Sequence, residues 1–394
     1  MTGRAEPMGR AAGEPPSRRS QRALSWSLAG LGLAGFAGAS LAHPSAARAA
    51  TAQDWPPFVL VAGLLLIGLV ADGDGLFAAA GHTLARAAPN GIVLFGGVVV
   101  MVGTVTALLN LDTSVAFLTP VLVYAARSRG AGEAPLLYGC LLLSNAGSLF
   151  LPGSNLTNLI VLGHLRLTGG QFLAHMWAPA LASLIVTAGV VGFVEHRSLR
   201  RRVEDLTPAE RPVLGLGLVA VVAATVVVVT LRNAAVPVSA IGVGVVSVRV
   251  ASGREHPRHA AEVLGVPVLF GLFGVAVALG TLGRVWSGPA VLFSHVDRWG
   301  TAVVAAVCAV LFNNLPAASL LASRTPNHPF ALLVGLNVGP NLFVTGSLAW
   351  ILWLRVARAA GTQPSIAKAA RLGAATVPLA VAAAVGALAL TGNS

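Results

Sequence analysis

Charge is scarce in this 394-residue sequence: Asp, Glu, Lys and Arg together make up 10% of it, against about 25% in a soluble domain. Hydrophobic residues make up 55%, and the mean hydropathy is +0.79. A water-soluble globular fold is excluded. Cysteine is scarcer still. Its two copies, Cys140 and Cys308, both lie inside apolar runs, which rules out a disulfide framework and a Cys/His metal spacing. The nine histidines are scattered, mostly at loop ends, and none forms an HExxH pair. GxGD and GxSxG are missing as well, so an intramembrane enzyme has no motif to stand on. The expectation is a protein that is not an enzyme, with no cofactor and no resident metal.

What the chain does have is apolar length. Runs near or above 20 residues recur along it, such as "VLGLGLVAVVAATVVVVTL". About 20 residues cross a hydrocarbon core of ~30 Å. The expected class is therefore an all-α polytopic membrane protein of the cell (inner or plasma) membrane, with the lipid bilayer as its surroundings. Crossing segments are placed at about 24–42, 56–77, 135–164, 172–194, 212–231, 235–250, 262–282, 330–354 and 370–391. The first of these has a basic start, a weakly apolar middle and small residues near Ala50. It fits either a weak membrane helix or a cleavable signal, and the helix is the reading adopted.

Two apolar stretches remain, 91–126 and 300–323. Each is broken by polar residues, at "NLDTS" and "NNLP". The arms of the second are about a dozen residues long, which covers roughly half a bilayer at ~1.5 Å per residue. Both read as re-entrant hairpins. The formal charge of +12 then reads as topology, not as affinity for nucleic acid. With the N-terminus cytoplasmic, all basic residues fall inside except Arg48, Arg166, Arg232, Arg284, Arg298 and Arg324. Letting both hairpins cross would move the arginine-rich loop at 195–211 outside.

The two halves repeat one another, each with a crossing helix, a hairpin, a broken helix and a final helix. "LSNAGSLFLPGSNLTNL" matches "LNVGPNLFVTGSLAWIL", pairing Asn145, Gly147, Gly153 and Ser154 with Asn337, Gly339, Gly346 and Ser347. The hairpins enter from opposite sides, so the repeat is inverted. The expected organisation is a tail plus weak first helix or signal-like segment (1–54), a first transport repeat (55–194), an Arg-rich cytoplasmic loop with linking helices (195–261), and a second transport repeat (262–394).

Backbone that leaves helical geometry in lipid strands polar groups, at several kcal/mol each if unpaired. It is tolerated where it lines a polar cavity, and inverted-repeat carriers hold solute and coupling ion at such breaks. A lone Gly-Pro break is more often a kink, but four breaks paired across a repeat point to a central site. Asp112 is the carboxylate placed at membrane depth, where such groups are functional by default; it is suited to taking up and releasing protons. Its alternatives are a cap to the amides of Ser114 and Val115, or a partner for a loop arginine. Asp72 and Asp74 read as a solvated turn.

At "LLNLDTSVAFLTPVL", "SNAGSLFLPGSNLTNL", "FNNLPAA" and "GPNLFVTGSLAWILWLR" the chain resembles the arsenite pump permeases. These belong to the ion transporter superfamily, with NhaD-type sodium/proton antiporters and dicarboxylate and citrate carriers. The resemblance spans roughly 55–390. It implies a homodimer with a scaffold and a mobile transport region that works as an elevator. It implies a substrate- and ion-binding site of Asn110, Asp112 and Thr113 at the first tip and Asn313, Asn314 and Pro316 at the second. Ser154, Asn155 and Thr157 of the first break join them, with Asn341, Thr345, Gly346 and Ser347 of the second. The implied solute is arsenite (arsenous acid) or antimonite, the coupling ion a proton or sodium, and a transport ATPase subunit is a candidate partner. Dicarboxylate carriers place Ser-Asn-Thr triplets at both tips, and neither tip here has one. Arsenous acid is a small triol, neutral near pH 7, which suits amides and hydroxyls without an arginine clamp. A carboxylate carrier or a sodium/proton antiporter of the same superfamily is the alternative. Outside the carriers the alternative is a channel, because "NLPA" is similar to the Asn-Pro-Ala loops of aquaporins.

Overall fold

The computed structural model describes residues 18–163, 165, 167–200 and 215–392. The expected cytoplasmic tail at 1–17, and residues 201–214 in and beyond the arginine-rich loop, lie outside the described residues. Among those described, all regular structure is helical. Six helices are long and apolar enough to cross a membrane: Ser25–Ala42, Pro44–Gly73, Gly91–Leu108, Gly169–Val194, Pro257–Val285 and Ile366–Leu390.

The expected repeat is present. A hairpin at 91–128, a broken helix at 133–162 and a closing helix at Gly169–Val194 make one set. A hairpin at 298–321, a broken helix at 329–359 and a closing helix at Ile366–Leu390 make the other. The closing helices pack on each other. Leading helices Pro44–Gly73 and Val266–Val285 also meet, and each is flanked by a helix from the other half of the chain: Ala235–Ala251 on the first, Arg18–Ala42 on the second. In lipid, helices gain by close van der Waals approach of small residues. A Cβ on Gly32 would lie 2.1 Å from the Gly271 carbonyl oxygen, and one on Gly242 2.5 Å from that of Gly63. These contacts exist because the side chains are absent.

The broken helices are bound together by tryptophan. Trp350 and Trp353 are fully buried. The Trp353 indole N–H donates to the Leu137 carbonyl at 2.9 Å, and that of Trp350 to Pro340 at 2.8 Å.

Three expectations change. The leading helix was placed from residue 56, where the apolar run begins, but it starts at Pro44, in the first turn where proline costs least. That carries Asp54 into the protein interior at 1% exposure, so a membrane helix carries a buried carboxylate besides the half-buried Asp112. Asp74 is more than a solvated turn. Its Oδ1 pairs with Arg249 at 2.7 Å and its Oδ2 accepts from the Gly217 amide at 2.6 Å. In the first hairpin the 91–108 arm is long enough to cross, unlike either arm of the second. The first tip still meets the break in the 133–162 helix, as the contacts below show.

Candidate functional site

Each tip begins with asparagine because the return arm needs a cap. Leu109 (φ −110°, ψ −98°) ends the first arm, Asn110 is extended, and its Oδ1 accepts from the Thr113 amide at 2.7 Å. Thus Asn110, not Asp112, caps this helix. The helix then widens into a π-helical turn at Ser114–Leu118 ahead of Pro120. The Thr119 hydroxyl donates to the Val115 carbonyl at 2.6 Å. At the second tip, Asn313 has φ +72° and ψ 146° and is the one positive-φ residue other than glycine among those described. A residue held there stores about 1–3 kcal/mol of strain. Its amide donates to the Thr345 carbonyl at 3.2 Å, and the Asn314 backbone N–H donates to that of Gly346 at 2.8 Å.

Both tips rest on the break of their own repeat in the same way. The Ser154 hydroxyl donates to the Ala107 carbonyl at 3.2 Å, and the Thr345 hydroxyl to that of Val310 at 2.6 Å. Each acceptor lies three residues before the tip asparagine. Ser154 therefore corresponds to Thr345 in space and not to Ser347: Ser154 lies nine residues after Asn145, and Thr345 lies eight after Asn337. A Cβ on Gly346 would sit 2.5 Å from Pro340 Cα, so the second break folds tightly on itself there.

The two breaks exchange amide bonds. The Asn145 amide donates to Asn341 Oδ1 at 2.9 Å, while the Ser148 hydroxyl donates to Asn337 Oδ1 at 2.7 Å. Asn337 Oδ1 also accepts from Asn155 at 2.7 Å and from the Thr157 hydroxyl at 3.4 Å. The Asn337 amide donates to Asn158 Oδ1 and to the Leu333 carbonyl, both at 2.9 Å. Asn337 thus uses its whole hydrogen-bonding capacity. Asn145, Ser148, Asn158 and Asn337 were not among the expected site residues, although Asn145 and Asn337 were visible as a repeat pair.

The expected residues divide accordingly. Asn155, Thr157 and Asn341 are buried and bonded within the protein: Asn155 Oδ1 caps Thr157, and the Asn341 amide donates to the Leu142 carbonyl at 3.0 Å. Pro316 and Asn314 are buried in the first turn of Asn314–Leu321. By contrast, Asn110 Nδ2, Thr113 Oγ1 and Ser347 Oγ are buried with no partner among the described residues, as are Thr106 Oγ1 and Asn145 Oδ1. Asp112 is half-buried, and no hydrogen bond or ion pair engages its carboxylate among the described residues. None of the bonds named in this site involves Arg, Lys or His.

Four half-helices also start here: at Leu111, Leu156, Asn314 and Leu348. The first tip packs on Leu348–Ala359 of the other repeat, and Asn314–Leu321 packs on Leu156–Leu162. Helix starts carry free N–H groups and partial positive charge. The arrangement offers donors from helix starts and amides, hydroxyls of either sense, and one carboxylate. Such a set can bind and release a small polar solute. No group of three His, Cys, Asp or Glu side chains that could hold a metal occurs among the described residues.

Known proteins agree with this architecture. The arsenical pump membrane protein of Yersinia enterocolitica is 25% identical over 340 residues, covering 77% of this chain and 78% of its own. That of Escherichia coli matches to the same extent. An uncharacterized transporter of Mycobacterium tuberculosis is 26% identical over 357 residues, with 82% of each chain covered. Among solved structures, the Alcanivorax borkumensis YdaH transporter has a similar fold, with a TM-score of 0.50 at 15% identity over 95% of this chain and 89% of its own. The profile of the citrate transporter family matches residues 22–386, so this chain, a multi-pass membrane protein with paired hairpins and broken helices, belongs to the citrate transporter family.

Proposed function

We propose that the chain is a secondary carrier that exports arsenite (arsenous acid) or antimonite, coupled to protons or to the membrane potential. The observation that carries this reading is the chemistry of the site: unpartnered amide and hydroxyl groups around one unpaired carboxylate, with no basic side chain in the bonding network. A neutral triol satisfies such groups without a counter-charge, and a buried donor or acceptor left unmatched costs about 1–3 kcal/mol. The relatives named as arsenical pumps support the same substrate. Asp112 is the proposed coupling carboxylate. The repeat is proposed to be inverted, with a cytoplasmic N-terminus, and the working unit a homodimer of elevator type. A transport ATPase subunit is a further proposed partner.

The test is growth and cellular arsenic content in cells lacking their own arsenite efflux, with and without this chain. Export predicts growth in arsenite and lower arsenic content. Unchanged content in cells that carry the protein in the membrane would refute the substrate. A second reading, a cation- or proton-coupled citrate or dicarboxylate carrier, is favoured by the matching family and by the four helix starts, which suit anions. Labelled citrate uptake decides it. Saturation and counterflow separate either carrier from a channel.

A further inference from the structure

A cavity lies away from the breaks. It measures about 360 Å³ and sits where Arg18–Ala42 turns into Pro44–Gly73. Phe36, Ser40, Ala47, Arg48 and Thr51 are among its lining residues. Its walls are apolar except for two hydroxyls and one guanidinium. Arg48 is exposed, and it has no ion pair or hydrogen bond among the described residues. The cavity's apolar end continues into a row of rings. Phe36 lies 6.3 Å from Phe273, and Phe273 lies 5.4 Å from Phe58, centroid to centroid.

The depth of the cavity follows from helix length. Pro44–Gly73 has 30 residues, about 45 Å at ~1.5 Å per residue, whereas the hydrocarbon core is ~30 Å thick. The apolar run of this helix starts at Pro56, so Arg48 stands about 12 Å beyond it. A side chain that long reaches back to the headgroup layer. Trp55 and Trp286 are half exposed, at 42% and 54%. Phe58 meets Phe273 and Gly280 adjoins Ala50 and Asp54, so the two helices run antiparallel and Trp286 lies nearer the level of Arg48 than Trp55 does. Exposed tryptophans of this kind mark the membrane–water boundary.

We propose that this cavity binds an anionic phospholipid, with its phosphate on Arg48, Ser40 and Thr51 and an acyl chain along Phe36 and Phe273. The charge selects an anion, the hydroxyls suit phosphate oxygens, and the apolar walls select a lipid over a free ion. The inference does not depend on what the central site transports.

Native mass spectrometry of the full chain, with phosphatidylglycerol or phosphatidylcholine of equal acyl length, tests it. The wild type is expected to retain phosphatidylglycerol about fivefold better, the scale of one basic residue at an anionic surface. Arg48→Gln loses the preference, Arg48→Lys keeps most of it, and Arg232→Gln, an exposed arginine that does not line the cavity, leaves it unchanged. Millimolar inorganic phosphate does not compete. An equal preference in wild type and Arg48→Gln overturns the proposal, as does an equal loss in Arg232→Gln or displacement by free phosphate. A change in dimer fraction without a change in lipid count assigns the groove to a second copy and also overturns it. If Arg48→Gln fails to fold, Arg48→Lys compared with Ser40→Ala and Thr51→Val decides the outcome.

Discussion

Asn337→Ala tests the bond network between the breaks most directly. The substitution removes an acceptor used by Ser148 and Asn155 at 2.7 Å and a donor to Asn158 at 2.9 Å. The Thr157 contact at 3.4 Å lies at the weak end of hydrogen-bond geometry and adds little. Side-chain hydrogen bonds between membrane helices contribute about 0.6 kcal/mol on average and up to about 1.7. Three well-formed bonds between the repeats therefore predict a loss of about 2–5 kcal/mol. Asn145→Ala removes one such bond, to Asn341, and should cost about 1 kcal/mol. Unfolding in detergent, followed by tryptophan fluorescence, reads both, since Trp350 and Trp353 are buried beside the breaks. The Asn337 loss should shrink in an Asn155→Ala background, because one shared bond has already gone. A loss below about 0.5 kcal/mol for Asn337→Ala, or full additivity with Asn155→Ala, would refute the claim that these bonds hold the breaks together.

Asp112→Asn keeps size and removes the charge. The variant should insert and fold normally, retain solute exchange at equal concentrations, and lose accumulation against a gradient; normal pumping across a range of pH would leave Asp112 without a coupling role. Gln53 donates to the Ile160 carbonyl at 2.8 Å and to that of Ala322 at 3.1 Å, and accepts from Arg284. Gln53→Leu strands these groups and should lower stability by about 1–3 kcal/mol, whereas Gln53→Glu keeps the contact to Arg284 and should lose less. Equal loss in the two variants would show that the carbonyl bonds, and not Arg284, carry the effect.

The hairpins and breaks were legible because their grammar is local. Asparagine before a helix start caps it, and "PGSN" or "VTGS" in a hydrophobic run has no reason to be there unless the backbone leaves the helix. The sequence reading placed all four breaks where the structure has them. It could not tell spent amides from free ones. Asn155 and Asn341 look the same in sequence as Asn110, yet they are bonded to residues 182 and 196 positions away, while Asn110 Nδ2 has no partner among the described residues. That difference is long-range geometry, which no local pattern carries. Asp54 was missed for a related reason. "TAQDWPP" holds two prolines, and the apolar run that marks the span begins only there. The helix runs through them from Pro44, where neighbouring helices can accommodate the carbonyls they free.

The exchange between the breaks also bears on how such a chain could alternate its access. Asn145 and Asn337 stand at corresponding points, and each reaches a polar residue of the opposite break, Asn341 or Ser148. Separating the breaks would expose several buried amides to an apolar interior at once, at about 1–3 kcal/mol each. Moving a tip off its break releases fewer bonds. At the first tip the ties are Ser154 to the 91–108 arm, Ser144 to Ser114 and Thr119 to Cys140, and at the second they are Thr345, Asn313 and the Asn314 backbone. The least costly motion therefore keeps the two broken helices as one body and shifts either the tips against them or the whole body against Pro44–Gly73 and Val266–Val285. In the second case the Gln53 bonds to Ile160 and Ala322 must break, because they run from a leading helix to that body and to the second hairpin. A Gln53→Leu variant that is less stable yet transports faster would identify that interface as the one that slides, and a variant slowed in proportion to its lost stability would point to the tips.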